Sequence, residues 1–289
     1  WLIDEIAGPL PTVPPETEVV VLLDAQTTEI NSKGVMTMTC RRAAKVLRPG
    51  GVESAQRLAR ASAFDTKVKS MTGWATNPSG TPREVTMKDA ISSSLAADTL
   101  YVDAKVMMLV VPEVEVGSVV GFEWVEEHTP PMIEDIIEFQ GEFPVLRAVY
   151  SLSLPPRWEP EFSWVNWDPV EPKRDPISPL LPKTMSFEIL NVPAIGKEPF
   201  MPNIRALAGR LVMRLKTSDG SFRSFSGWPD MGAWYTRLSS ARRVPDKSVS
   251  LKARELSAGA AGTLEKIRAL AQFGQKDGRY VYVQLGIGG

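Results

Sequence analysis

One cysteine, Cys40, and one histidine, His128, are all that 289 residues hold of either type. That scarcity excludes an intrachain disulfide and a metal site built from clustered Cys and His ligands. Any Cys–His catalytic pair would have to be these two residues. Charge of one sign is also lacking, with 33 basic residues against 34 acidic ones. Without a long basic stripe to release counterions from phosphates, a nucleic-acid groove has little support. Long apolar runs are missing too. KVMMLVV (residues 105–111) stops at Pro112, far short of the roughly 18 apolar residues a spanning helix needs. The chain opens at Trp1 without the basic and apolar sections of a signal peptide, so its start reads as a mature or trimmed end. Neither a GxxxxGK[ST] loop nor a GxGxxG fingerprint at a strand-to-helix turn is present, and nucleotide binding has no support.

What is present is a globular composition, 43 % apolar and 23 % charged, on a chain long enough for two domains or one large one. Up to about Leu215 the pattern is one of strands and turns. EVVVLLDAQTTEI and VMTMTCRRAAKVL flank the turn NSKG and predict an antiparallel hairpin with a four-residue loop. Val120, Phe122 and Trp124 share one face of an extended segment, as do Leu146, Ala148, Tyr150, Leu152 and Leu154. Further strands are expected over Val68–Thr76, Leu100–Val110, Met185–Leu190 and Arg210–Lys216. Such alternation without regular intervening helices predicts a mainly β protein, an antiparallel β-sandwich.

Several side chains carry chemistry in principle. Cys40 falls in phase with Met36 and Met38 and is expected to be a small core residue. Arg41 and Arg42 beside it could favour a thiolate, but Arg41 points to the opposite face and no base is evident. His128, between Glu127 and a Pro-Pro turn, is expected at a solvated loop end. The acids of DEIAG, VEEH and IEDIIEF have no spacing that fixes a catalytic pair across a cleft, and they read as solvated faces. The proline-rich segment of residues 154–183 carries Trp158, Trp164 and Trp167. Exposed, these indoles would offer rigid faces to a sugar or a peptide; packed, they would pin the segment to the sandwich. They are the candidate ligand-binding residues.

The character changes after Trp228. Asp230–Arg242 has helix composition with Trp234, Leu238 and Arg242 at helical spacing. A second helix follows, with Asp246 or Ser248 as its cap. The third carries Leu264, Ile267, Leu270, Ala271 and Phe273 on one stripe, with Thr263 as its cap and Gly278 as its stop. The last segment, RYVYVQLGIGG, alternates as a strand with no evident partner. Three helices and one strand read as the start of an incomplete α+β domain.

Read in order, VVVLLDAQTTEINSKGVMTMTCRRAAKVL, LYVDAKVMMLVVPEVEVGSVVGFEW, EFQGEFPVLRAVYSLSLPPRW, WYTRL and EKIRALAQFGQKDGRYVYVQLGIGG resemble bacterial proteins that join an N-terminal β domain of unknown function to a transglutaminase-like domain. The resemblance runs from about Pro14 to Gly289 and implies a β-sandwich domain over 14–225 and the N-terminal part of a transglutaminase-like domain over 226–289. It implies that a helix bearing a nucleophilic cysteine follows the terminal glycine turn, with a histidine and an aspartate further on. Cys40 and His128 do not match those positions, so no catalytic residue, metal or cofactor is assigned to this chain. The expected partners are the missing remainder of that domain and a protein or peptide substrate, and the resemblance implies export to the periplasm. The competing expectation is a non-catalytic module that binds cell-envelope protein or glycan through the three tryptophans.

Overall fold

The hairpin expected around NSKG forms, and Asn31 shows why. Strands β1 (Val19–Ile30) and β2 (Met36–Val46) pair antiparallel with Ile30 opposite Met36. Asn31 Oδ1 accepts hydrogen bonds from the backbone N–H of Lys33 and of Val35, at 2.9 and 3.1 Å. Gly34 supplies the left-handed turn at φ 81°. The loop is one residue longer than expected, because Val35 C=O accepts from Asn31 N–H and belongs to the turn. The computed structural model describes residues 1–2, 10, 12–63, 65–76, 82–94, 101–102, 104–130, 133–156, 158–175, 182–196, 198–216, 225, 227–278 and 283–284. The chain forms two units, one from residues 1–95 and 104–224, the other from 96–103 and 225–289.

In the first unit the hairpin is followed by β3 (Arg57–Ser62), β4 (Thr66–Thr76), β5 (Pro82–Thr86) and β6 (Ile91–Ser94). After β7 (Tyr101–Val102), which belongs to the second unit, come β8 (Lys105–Val110), β9 (Val119–His128) and β10 (Glu134–Glu138). The remaining strands are β11 (Val145–Leu154), β12 (Glu159–Val165), β13 (Lys173–Arg174), β14 (Lys183–Val192) and β15 (Arg210–Lys216). Eight of them form one large sheet in the order β13-β14-β11-β1-β2-β9-β4-β5. Two three-stranded sheets, β3-β8-β6 and β10-β15-β12, complete the layers.

Mainly β architecture is thus what the alternation builds, with one departure from the antiparallel expectation. β1 and β11 run parallel, Val21 opposite Val145 and Glu29 opposite Ser153. A parallel pair needs a long crossover, and here the crossover among the described residues holds β2 to β10 and only one short α-helix, Val52–Ala55. The rest of the large sheet is antiparallel.

The inner face of the large sheet carries two apolar cores. On one half, Tyr150, Leu152, Phe187 and Ile189 pack against Ile137, Leu211, Met213 and Leu215 of the β10-β15-β12 sheet. On the other half, Met71, Val120, Phe122 and Trp124 pack against Leu109 of the β3-β8-β6 sheet. A register shift between Val21 and Leu23 rotates β1, so that Leu22 and Leu23 turn to the outer face with Val20 and Ala43, under Trp1, Leu2 and Val13.

The second unit holds helices α1 (Trp228–Ser240), α2 (Lys247–Ser257) and α3 (Thr263–Lys276). Asp246 caps α2, accepting from Val249 N–H at 2.8 Å. For α3 the cap position falls to Gly262, and Thr263 is the first helical residue. The terminal strand, expected without a partner, has one: β16 (Val283–Gln284) pairs in parallel with β7, Val283 opposite Tyr101. That partner comes from far upstream, where no local signal reveals it. The glycine turn of residues 286–289 lies outside the described residues. Leu251, Leu264 and Ile267 of the helices are exposed.

Candidate functional site

Three strands in register build a floor. Across β1, β2 and β9, Asp24 stands opposite Arg42 and Arg42 opposite Phe122; one row on, Gln26, Cys40 and Trp124 align; in the next, Thr28, Met38 and Glu126. The two small sheets cover the flanks of this floor and leave a groove of about 660 Å³ between them. Arg57, Leu58, Ala59 and Arg60 of β3 line one wall, Ile136 and Glu138 of β10 the other. A volume of this size is within the range of ligand sites.

Polar clusters close the groove's flanks. On the β3 side, the Arg60 guanidinium grips Glu126 with both arms, Nε to Oε1 at 2.6 Å and Nη2 to Oε2 at 2.9 Å. His128 Nε2 lies 3.1 Å from Glu126 Oε2, and its Nδ1 lies 3.2 Å from Thr66 Oγ1. Glu126 is only 1 % exposed. Burial alone would raise its carboxyl, but hydrogen bonds from His128 and Arg60 and the Arg60 charge outweigh it and bring the carboxyl to about 2. The Arg60 guanidinium also sits 5.1 Å over the Trp124 ring, whose buried Nε1 has no hydrogen-bond partner among the described residues.

On the β10 side, Asp135 accepts from Gln26 Nε2 at 2.8 Å, Thr28 Oγ1 at 3.2 Å and Tyr150 Oη at 3.4 Å. Its burial is strong enough to push the carboxyl above its ordinary range despite these donors. Between the clusters, burial also raises Asp24, against the opposing charge of Arg42.

These clusters correct two expectations. His128 is not a solvated loop end but the last residue of β9, half-buried in a hydrogen-bonded cluster around Glu126. The acids of VEEH and IEDIIEF are not all solvated, since Glu126 and Asp135 face inward. A signal was available: Val120, Phe122, Trp124, Glu126 and His128 share one phase, as do Ile133, Asp135 and Ile137. DEIAG, residues 4–8, lies outside the described residues.

Cys40 occupies the floor as a core side chain. Burial pushes its thiol up to about 12, with Arg60 opposing and the nearby acids adding to the rise. Iodoacetamide at pH 8 is therefore expected to leave the folded protein unlabelled and to modify Cys40 only in denaturant. Rapid labelling of the native chain, followed by peptide mapping, would contradict that placement. Among the described residues no group of three or more His, Cys, Asp or Glu side chains could hold a metal ion.

Trp158, Trp164 and Trp167 do not line this groove and are half-buried against the first core. Trp164 meets Phe139 and Phe187 edge-on at 5.9 and 5.7 Å, and Trp167 meets Phe139 at 5.1 Å. A Cβ on Gly209 would come within 2.7 Å of Trp167 Cε3. The three indoles hold the proline-rich segment to the sandwich.

The family model for a domain of unknown function with a solved structure, DUF3857, matches residues 32–195, more than half of the chain. The chain belongs to the DUF3857 family. β2, β3, β9 and β10 fall within the matched DUF3857 residues, and β1 lies wholly before them. No curated protein matches. A crystal structure described as a "putative protease" from Parabacteroides distasonis superposes with a TM-score of 0.67 at 15 % identity, over 88 % of this chain and 49 % of that one. At this identity the likeness concerns the fold, and this chain spans about half the length of that relative. An M1 zinc metallopeptidase from Deinococcus radiodurans gives a TM-score of 0.36 at 10 % identity, over 84 % of this chain and 53 % of that one, too distant to carry an argument.

Proposed function

We propose that this chain is the ancillary, substrate-positioning region of a larger thiol protein of the transglutaminase-like class. The groove carries this reading. It is a polar, strand-walled cleft whose one thiol, among the described residues, is a core side chain held protonated by burial and by the nearby acids. Such a site suits holding a substrate more than attacking it. The ordered resemblance of the sequence supports the class, and the roughly twofold longer relative described as a protease supports hydrolytic or acyl-transfer chemistry in the remainder of such polypeptides. The exposed apolar residues of α2 and α3 offer a surface for that remainder. Export to the periplasm goes with the same resemblance.

The competing reading, a module that binds cell-envelope protein or glycan, needs free indole faces, and Trp158, Trp164 and Trp167 are half-buried with their packed sides against the first core. The test is the natural polypeptide beyond Gly289, read by intact mass and C-terminal peptide sequencing. A cysteine at a helix start, then histidine and aspartate, with acyl-transfer or peptidase activity lost to iodoacetamide, is the expected result. A natural stop near Gly289, or activity indifferent to iodoacetamide, would overturn the proposal.

A further inference from the structure

The second layer of the sandwich is interrupted in a way that has a strand's dimensions. β3 is hydrogen-bonded to β8 and β10 to β15, each at the end of its sheet, so among the described residues each has one free edge. Both edges line the same groove. β10 lies over β1, since Asp135 bonds Gln26 and Thr28. β3 lies over β9, since Arg60 bonds Glu126 and sits on Trp124. β2 runs between β1 and β9; the short helix Val52–Ala55 and Phe143 pack on its Ala44–Val46 end, and neither small sheet places a strand on it by a hydrogen bond or ion pair among the described residues. Neighbouring strands lie about 4.8 Å apart, so edges standing over β1 and β9 leave the width of one strand above β2.

We propose that the groove takes an extended polypeptide segment, which pairs with β3 on one side and β10 on the other and joins the two three-stranded sheets into one layer. Strand addition of this kind draws affinity from main-chain hydrogen bonds and specificity from alternate side chains. The inward side chains of such a segment meet Met38, Cys40 and Ala44, an apolar row, interrupted by the Asp24–Arg42 pair. Asp24 and Arg42 stand opposite each other in the groove lining, and among the described residues neither side chain makes a hydrogen bond or contact ion pair. Trp124 Nε1 is buried and, among the described residues, is a donor with no acceptor. A peptide supplies acceptors and donors along its whole length, whereas a glycan or an acyl chain has no repeating amide to satisfy two strand edges. This deepens the substrate-positioning reading and rests on it for the segment's identity as part of a substrate protein.

The probe is a random 12-residue peptide library displayed on phage and selected on the whole chain, with enriched peptides then synthesised. Hydrogen exchange of residues 57–62 and 134–138 is measured with and without peptide. At least tenfold slower exchange is expected at both edges. N-methylation at consecutive peptide positions should weaken binding, because successive N–H groups serve opposite edges. Arg42→Ala should weaken it about tenfold, the size of a lost charge-assisted hydrogen bond. Its melting curve, unchanged from the parent, separates lost contact from lost fold.

No enrichment, protection at one edge or none, or tolerance of N-methylation overturns the proposal. So does edge protection that rises with protein concentration, which assigns the groove to a second copy, or slow exchange without peptide, which assigns it to this chain's own residues. Docking is read here without any thiol domain, so its failure leaves the test at Gly289 standing, and the reverse.

Discussion

Glu126→Ala is expected to destabilise the β unit by about 3 kcal/mol, the lower end of what breaking a buried ion pair costs. The lower end applies because the Arg60 side chain is 34 % exposed and can recruit water once its partner is gone. Glu126 itself is 1 % exposed and satisfies two residues at once. Its removal strips Arg60 of its counter-charge above Trp124 and leaves His128 Nε2 without its neighbour. A urea titration followed by tryptophan fluorescence reads the effect. Acid sharpens the test. The folded carboxyl lies at about 2 against 4.5 for the free group, so its contribution is complete above 4.5 and is lost as pH falls from there towards 2. Glu126→Gln removes that acid-side loss. Parent and variant midpoints that fall in parallel between pH 4.5 and 2.5 would refute the assignment.

Asp135→Ala is expected to cost about as much, roughly 3 kcal/mol, for a different reason: it orphans donors instead of a charge. Thr28 is fully buried and Tyr150 nearly so, and both hydroxyls with the Gln26 amide converge on this carboxylate. Asp135→Asn keeps an acceptor in place and removes a charge that burial disfavours. Its cost at neutral pH should stay within about 1 kcal/mol. The pH dependence runs opposite to that of Glu126. A carboxyl raised in the folded state binds its proton more tightly there, so the parent gains stability as pH falls through the raised value towards 3.8, and Asp135→Asn does not. Equal losses for alanine and asparagine would show that the hydrogen bonds are not what Asp135 provides.

Where period-2 patterns were long and apolar, the sequence was sufficient. Arg210–Lys216 forms the strand its alternation predicts, and the β1–β2 hairpin follows from Asn31 and Gly34. The groove was not legible for two physical reasons. Its acids sit at inward positions of strands whose polar ends look like exits to solvent, and only strict phase-keeping past Trp124 or through Asp135 exposes them. Asp24, Gln26 and Thr28 face inward only because of the register shift after Val21, which the sequence does not announce. The pairing of β1 with β11, and of β16 with β7, joins residues too far apart in the chain for any local pattern to specify. Trp158, Trp164 and Trp167 read from the sequence either as a binding face or as pins, and the packing of Trp164 and Trp167 beside Phe139, Phe187 and Gly209 joins residues no local pattern brings together.

The parallel seam between β1 and β11 also dictates an order of events at the ribosome. The β1–β2 hairpin closes within about thirty residues, but Val21 finds Val145 only after the whole intervening chain has been made. Until then one side of β1, with its row of unsatisfied amides and carbonyls, is an open template for another nascent chain. At about 5–20 residues per second, synthesis alone keeps that side uncovered for several seconds. Slow synthesis and crowded expression therefore threaten this protein most through a strand that, once the sheet has closed, lies at its centre.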